Sequence, residues 1–287
     1  MVFTPETLRS KIRQRSRLVT NLLSEFYGTF LLLFIGIGIV CQFDLSRKQL
    51  NTWIQINIGW GFAIAFTVYT AAKTSGGHFN PAISLVMVTF GRLSVLHFIL
   101  YTITQIVAAF FGALAAYFVY RDQFLAFNNN IWALTGPKAT AGCFVTFPAN
   151  HVSNWTIFLD QFVGTGLLAL FVAVIIDKRN KIADHLHPLL FGFVVILIGT
   201  AFGMNMGYPI NPARDLGPRI LTIFFYGTQV LSFHNYMFWI PFVAPFPGAL
   251  FGAWSYHLFV GAHIPDDDDL IDEKKAAKDQ ELQPLNA

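Results

Sequence analysis

Six long apolar runs constrain this chain more than any other feature of its sequence. They cover residues 18–41, 53–72, 96–120, 157–176, about 186–204 and 236–261. A helix needs about 20 such residues to cross a hydrocarbon core, and lipid offers no partner for backbone groups that a helix or a closed barrel leaves unpaired. The runs lack the strict polar alternation of barrel strands. The sequence therefore predicts an all-α membrane protein with six transmembrane helices.

Composition excludes several other classes of protein. Only 12% of the residues are charged, whereas soluble domains average about 25%. A net charge of +3 is too small to indicate a nucleic-acid partner, and two cysteines do not make a disulfide scaffold. No metal-ligand cluster or nucleophile–base pair stands out, so we expect no enzyme, no metal and no cofactor.

The distribution of basic residues predicts the topology. If the N-terminus is cytoplasmic, most of the 19 lysines and arginines lie on the cytoplasmic side, as membrane proteins prefer. Both termini are then cytoplasmic. We expect a basic N-terminal segment over 1–17, a membrane domain over 18–262, and a disordered acidic tail over 263–287 that holds half of the chain's 16 acidic residues.

The sequence also repeats itself. Three pairs of segments match in the same order, namely 25–29 with 161–165, 61–62 with 192–193, and 80–82 with 211–213. The halves cover about 18–121 and 157–262, with a linker over 122–156. Since each half has three spans, an odd number, the second half enters the membrane from the opposite face. A site between inverted halves is expected near the bilayer midplane.

The strongest match is a repeated tripeptide, Asn80-Pro81-Ala82 and Asn211-Pro212-Ala213. Asn is a preferred helix N-cap, and Pro is favoured at the next position. The apolar stretches that follow, 83–90 and 220–225, are too short to span, so each motif is expected to start a half-helix. Capping uses the Asn side-chain oxygen and leaves its NH2 free as a donor. The positive ends of both half-helices then point at the midplane and repel cations.

The segments before the two motifs are rich in glycine. A single Asn-Pro is most simply a turn, but a second copy at the matched position argues against that interpretation here. Non-helical backbone at membrane depth is tolerated where it lines an aqueous cavity. The carbonyls expected to line one wall of a pore are those of Gly76, Gly77, His78, Gly207, Tyr208 and Pro209.

On these motifs the chain resembles the aquaporin family, also called major intrinsic proteins, from about residue 20 to 262. The resemblance implies a right-handed helical bundle with two re-entrant half-helices, and a homotetramer with one pore per subunit in the plasma membrane. The aquaglyceroporin branch is the more similar one, because its characteristic residues are matched by Tyr117, Asp215, Arg219 and Pro241. By the same resemblance, the narrowest ring of the pore consists of Trp60, Gly199, Tyr208 and Arg214.

That ring is suited to a small polyol. Water-specific members carry a His where Gly199 stands, so the resemblance implies a wider ring here. Trp60 and Tyr208 offer apolar faces to a carbon backbone, while Arg214 offers fixed donors to hydroxyls. The resemblance implies a passive channel for glycerol and water, with urea and other small neutral polyols as further solutes, that excludes ions and protons.

Other polar residues leave alternatives open. The resemblance makes Glu25 and Gln161 braces for the re-entrant loops, although many members carry a second Glu in place of Gln161. An ion-coupled transporter, which inverted repeats can form, would need a coupling carboxylate, and Glu25 and Asp160 are the ones in or near the spans. A structural adhesion protein of the same fold is a third hypothesis. His78 is either structural or a pH sensor. Asn154 begins a glycosylation sequon, and Cys41 and Cys143 are interpreted as free thiols. Glycerol, water and membrane lipid are the expected partners, with no nucleic acid.

Overall fold

The computed structural model describes residues 4–266, and the regular structure of these residues is helical apart from one isolated β-bridge between Ala133 and Ala139. The α-helices are α1 Pro5–Ile12, α2 Arg17–Leu45, α3 Trp53–Ala71, α4 Pro81–Thr89, α5 Val95–Asn128, α6 Asn154–Ile176, α7 His187–Phe202, α8 Pro212–Tyr226, α9 Gln229–Tyr236, α10 Ile240–Val243 and α11 Pro245–Phe259. Most of the acidic tail lies outside the described residues, so the structure does not test its predicted disorder.

The number of predicted spans is confirmed. Six helical segments are long and apolar enough to cross a membrane, namely Arg17–Leu45, Trp53–Ala71, Val95–Asn128, Asn154–Ile176, Asp184–Phe202 and Gln229–His263. The third continues well beyond residue 120, into the predicted linker. The last is broken, because Phe233, His234 and Asn235 leave the helical conformation and prolines lie in the first turns of α10 and α11.

The two halves pack around matched glycines. A Cβ on Gly61 of α3 would lie 2.7 Å from the carbonyl oxygen of Gly192 in α7, and a Cβ on Gly192 would lie 2.4 Å from the carbonyl oxygen of Gly61. Both distances are shorter than real contacts, so only glycine permits this crossing. Because the two glycines are repeat mates, α3 and α7 cross close to the axis that relates the halves.

The half-helices are longer than their apolar stretches suggested. Asn80 caps α4 and Asn211 caps α8, and Pro81 and Pro212 are the first helical residues. Each half-helix therefore starts at its motif, as predicted, and the apolar stretch of α8 begins later only because Arg214, Asp215 and Arg219 are polar. These polar residues are buried, as described below.

The predicted linker packs at the C-terminal end of α2. Part of it is the end of α5, and part is a turn of 3-10 helix, Ala141–Cys143, that packs against α2. Cys41 and Cys143 are both buried free thiols, in agreement with the sequence interpretation. The Cys143 thiol donates to the Asp44 carboxylate with Sγ 3.9 Å from Oδ2.

Candidate functional site

Two cavities meet inside the bundle. The cavity beside the connection between α2 and α3, called the outer cavity, has a volume of about 530 Å³. The cavity beside the connection between α3 and α4, called the inner cavity, has a volume of about 510 Å³. The residues that line both are Ile64, Asn80, Leu168, Val195 and Asn211. A route through the chain therefore passes the two asparagines, with apolar side chains on the facing wall. The sequence reasoning did not identify Ile64, Leu168 and Val195, which no local motif distinguishes from other apolar residues of the spans.

The two asparagines are bound to each other's loops. Each side-chain oxygen caps its own half-helix, with Asn80 Oδ1 2.9 Å from Ala82 N and Asn211 Oδ1 3.0 Å from Ala213 N. The expectation that both NH2 groups are free is wrong. Asn80 Nδ2 donates to the Ile210 carbonyl at 3.0 Å, and Asn211 Nδ2 donates to the Phe79 carbonyl at 2.8 Å. One hydrogen of each amide is therefore left for a solute.

The residue before each Asn-Pro-Ala adopts a left-handed backbone. Phe79 has φ 49° and Ile210 has φ 37°, which is unusual for bulky side chains and exceptional for a β-branched one. Matched glycines make room for both, because a Cβ on Gly28 would lie 2.0 Å from the Phe79 ring and a Cβ on Gly164 2.9 Å from Ile210. Such strain persists where surrounding contacts over-determine it. Here it aims the Phe79 and Ile210 carbonyls at the opposite asparagines.

Glu25 braces the first re-entrant loop with both oxygens. Its Oε1 accepts from His78 N at 2.9 Å and its Oε2 accepts from Phe79 N at 2.8 Å. Gln105 Nε2 donates to Oε2 at 2.7 Å. The carboxylate is fully buried, so these three donors replace its hydration.

The second loop is braced by an amide and a neighbouring carboxylate. Gln161 Oε1 accepts from Ile210 N at 3.0 Å, and its Nε2 donates to Asp160 Oδ2 at 3.0 Å. Asn205 Nδ2 donates to the other Asp160 oxygen at 2.9 Å. Sequence reasoning considered Asp160 only as a coupling group of a transporter, because nothing in the sequence says which way its side chain points.

His78 lies between the inner cavity and a polar cluster. Its Nδ1 is 3.0 Å from Ser84 Oγ, and its ring packs edge-on against Tyr101 with centroids 5.4 Å apart. Gly76, Gly77 and His78 line the inner cavity. Their mates Gly207, Tyr208 and Pro209 line the outer one.

Arg214 reaches the outer cavity from the first turn of α8. Its guanidinium carbon lies 5.2 Å from the centroid of the Trp60 ring, and its Nη1 donates to the Phe144 carbonyl at 3.0 Å. That carbonyl is the only hydrogen-bond acceptor for this guanidinium among residues 4–266, so its other N–H groups are available to a solute in the cavity that Arg214 lines. Trp60, Tyr208 and Arg214 all line this cavity.

Gly199 does not line the cavity in the way the family resemblance implied. A Cβ at this position would lie 2.5 Å from the Tyr208 ring and 2.6 Å from Asn57 Oδ1. The Tyr208 ring therefore occupies the space that glycine leaves, and its hydroxyl donates to Asn57 Oδ1. Asn57 was missed, although an amide inside a predicted span was a signal that could have found it.

Asp215 and Arg219 form a fully buried ion pair beside the pore. Arg219 Nε lies 2.6 Å from Asp215 Oδ1 and Nη2 3.0 Å from Oδ2. The guanidinium also donates to the Thr146 and Val230 carbonyls, both at 3.3 Å. The Arg219 side chain is 0% exposed, so its charge is balanced within the protein and not by solvent. The pair ties α8 to the loop whose Phe144 carbonyl holds Arg214.

The remaining marker residues lie away from the solute path. Tyr117 packs on Phe225 with ring centroids 4.7 Å apart, in an aromatic cluster outside both cavities. Pro241 is buried at the first turn of α10. The Asn154 amide nitrogen donates to the Asn235 carbonyl at 3.1 Å, so a glycan on that nitrogen would require this contact to open.

Comparison with known proteins agrees with this architecture. Residues 12–256 match the family model described as "Major intrinsic protein". The chain is 36% identical to human Aquaporin-9 over 98% of its own length and 96% of the relative, and 37% identical to human Aquaporin-10 over 93% and 90%. It is 37% identical to Aquaglyceroporin-3 of Trypanosoma brucei brucei over 83% and 78%.

A solved structure is similar as well. The X-ray structure of the aquaglyceroporin from Plasmodium falciparum superimposes with a TM-score of 0.78 at 28% sequence identity, over 86% of this chain and 98% of the other. The fold, the two capped half-helices and these matches lead to one conclusion. The chain belongs to the major intrinsic protein family and is an integral, multi-pass membrane protein.

Proposed function

We propose that the chain is a passive channel that conducts glycerol and water across the membrane. The observation that carries the proposal is the lining of the outer cavity. Arg214, with N–H groups unpaired among the described residues, lines this cavity together with the aromatic side chains of Trp60 and Tyr208. A linear polyol has hydroxyls for the guanidinium and a carbon backbone for the aromatic faces. Relatives named aquaglyceroporin support glycerol as the solute.

The meeting point of the half-helices is proposed to exclude ions and protons. α4 and α8 begin at Asn80 and Asn211, which both line the junction of the cavities. Helix N-termini carry partial positive charge, and the facing wall of Ile64, Leu168 and Val195 offers no ligands to a cation. A neutral hydroxyl needs only a donor there, and each asparagine has one amide hydrogen left.

The two carboxylates that the sequence offered as coupling groups, Glu25 and Asp160, do not support an ion-coupled transporter. Glu25 accepts three hydrogen bonds, and both Asp160 oxygens accept from amides. Each carboxylate thus holds a loop in place. A coupling group would need at least one position open to its ion.

The family and the charge distribution also support proposals about oligomeric state, membrane and topology. We propose a homotetramer with one pore per subunit, resident in the plasma membrane, with both termini cytoplasmic. The channel domain is proposed to span 18–262, with a basic segment before it and an acidic tail after it.

A liposome assay distinguishes a glycerol and water channel from an adhesion protein. Purified protein is reconstituted, and light scattering records shrinkage against sucrose, then re-swelling on glycerol. We expect both rates to exceed those of protein-free vesicles. Glycerol rates equal to those of empty vesicles at every pH tested would contradict the proposal and favour an adhesion role.

A further inference from the structure

A basic cleft lies at the N-terminal end of the bundle, away from the pore. It is formed by α1, the first turns of α2 and the end of α3, and its volume is about 870 Å³. The cationic residues that line it are Arg9, Arg13, Arg15, Arg17 and Lys73. None of these five forms a salt bridge with a carboxylate of the described part of the chain. The cleft therefore concentrates positive charge, and none of the described residues that line it is acidic.

The same cleft has an apolar side. Leu8 and Ile12 are 40% and 60% exposed on one face of α1, and Leu23 and Tyr27 are 58% and 57% exposed on α2. All four line the cleft. Leu23 and Tyr27 belong to a transmembrane helix, so this side continues into the hydrocarbon-facing surface of the bundle. A short helix with one basic and one apolar face is typical of a segment that lies in the headgroup layer.

We propose that this cleft binds a phospholipid with an anionic headgroup, in the leaflet on the N-terminal side of the membrane. The arginines bind the phosphate and carboxylate oxygens of the headgroup, because guanidinium groups match both in geometry and charge. The acyl chains run down α2 along Leu23 and Tyr27. One ligand thus satisfies both the unpaired cations and the exposed apolar side chains.

The acidic C-terminal tail is the competing occupant. Its aspartates and glutamates complement the charge of the cleft, but its apolar residues, such as Leu270 and Ile271, lie directly among those acids. The apolar side of the cleft continues along a transmembrane helix, where acyl chains fit and an acidic segment does not. Inorganic phosphate has the same shortcoming. The apolar side of the cleft is therefore what favours a lipid over either alternative.

The test is native mass spectrometry of the full-length protein in detergent, titrated with phosphatidylserine or phosphatidylcholine. A triple variant, Arg9→Gln with Arg13→Gln and Arg15→Gln, removes three charges from the cleft. The matched control, Arg47→Gln with Lys48→Gln and Arg121→Gln, removes three exposed charges elsewhere. Since each basic residue near an anionic lipid contributes about 1 kcal/mol, we expect the triple variant to bind phosphatidylserine about a hundredfold more weakly, and the control to bind it as the wild type does.

Several results would overturn the proposal. Equal binding of phosphatidylserine and phosphatidylcholine, or equal losses in the two triple variants, would show that the cleft is not a specific site. Full competition by millimolar inorganic phosphate would assign it to a free anion. If phosphatidylserine bound only after truncation at Asp266, the tail would be the occupant. Melting temperatures of both variants are expected to match the wild type, because all six substituted side chains are exposed.

Discussion

The Asp160 carboxylate accepts a hydrogen bond from the Gln161 amide nitrogen, with Oδ2 3.0 Å from Nε2. A carboxylate only accepts, so this contact orients the Gln161 amide with its oxygen toward Ile210 N, 3.0 Å away. The Ile210 carbonyl in turn accepts from Asn80. One charged residue outside the pore thereby helps to place the asparagine donor inside it.

Exchanging the two side-chain types tests this relationship. Gln161→Glu places two buried carboxylates together, and Asp160→Asn removes the group that orients the amide. We expect each single variant to lower both the melting temperature and the glycerol flux, and the double variant Asp160→Asn/Gln161→Glu to recover most of both. A double-mutant cycle of thermal stability measures the coupling, which for contacting polar pairs is about 0.5–3 kcal/mol. Additive effects of the two substitutions would refute the relationship.

Gly199→Ala is expected to reduce glycerol flux more than water flux. The new methyl group would lie 2.5 Å from the Tyr208 ring, which must then move into the outer cavity. Overpacking of this kind costs about 1–3 kcal/mol. Stopped-flow rates in liposomes provide the measurement, and Gly38→Ala is the matched control because its methyl group meets nothing closer than 3.6 Å. A glycerol rate unchanged in Gly199→Ala would argue that Tyr208 does not border the path.

The buried Asp215–Arg219 pair should be far more sensitive to substitution than a surface pair. Arg219→Met leaves a buried carboxylate unpaired, which costs about 3–5 kcal/mol, whereas exposed pairs are worth about 0–1 kcal/mol. The control is Arg121→Met, since Arg121 pairs with Asp122 at side-chain exposures of 56% and 92%. Adding Asp215→Leu to Arg219→Met should restore much of the stability. Equal melting temperatures for the two Met variants would contradict the buried geometry.

Arg214→Val is expected to weaken exclusion of cations and protons. The substitution removes the guanidinium beside Trp60 and leaves the helix ends at Asn80 and Asn211 as the remaining barrier. A pH-sensitive dye inside liposomes records the proton leak, with glycerol flux confirming that the pore has folded. A leak identical to that of the wild type would show that the half-helix ends suffice.

His78 remains a candidate pH sensor. If it controls the inner cavity, His78→Ala removes the pH dependence of glycerol flux between about pH 5 and 8, the range in which histidine titrates. His185 lines the same cavity, so His185→Ala is the control and should retain the wild-type profile. A pH profile unaltered in His78→Ala would assign its imidazole to packing on Tyr101 and hydrogen bonding with Ser84.

Much of the fold could be predicted from the sequence because lipid restricts the options. Long apolar runs predicted the spans, and the repeated Asn-Pro-Ala predicted two capped half-helices. The exchange of hydrogen bonds between Asn80 and the Ile210 carbonyl could not be predicted, because it depends on a strained backbone at Ile210 that no propensity favours.

The features of the site that depend on tertiary contacts could not be predicted from the sequence either. The lack of a side chain at Gly199 predicts unfilled space beside it, but only the structure shows that the Tyr208 ring fills this space. An arginine is usually exposed. Arg219 is buried because it pairs with the carboxylate four residues earlier and donates to the carbonyls of a distant loop. Such contacts join residues far apart in the chain, where local patterns carry no information about distance.

The central claim is passive conduction, and tracer exchange tests it most directly. Radiolabelled glycerol uptake is measured in proteoliposomes with equal total glycerol on both sides, over a wide range of concentrations and with ion gradients present or collapsed. We predict uptake proportional to concentration and unaffected by the gradients. Uptake that saturates steeply with concentration, or that stops when an ion gradient is collapsed, would contradict a channel and identify a coupled transporter.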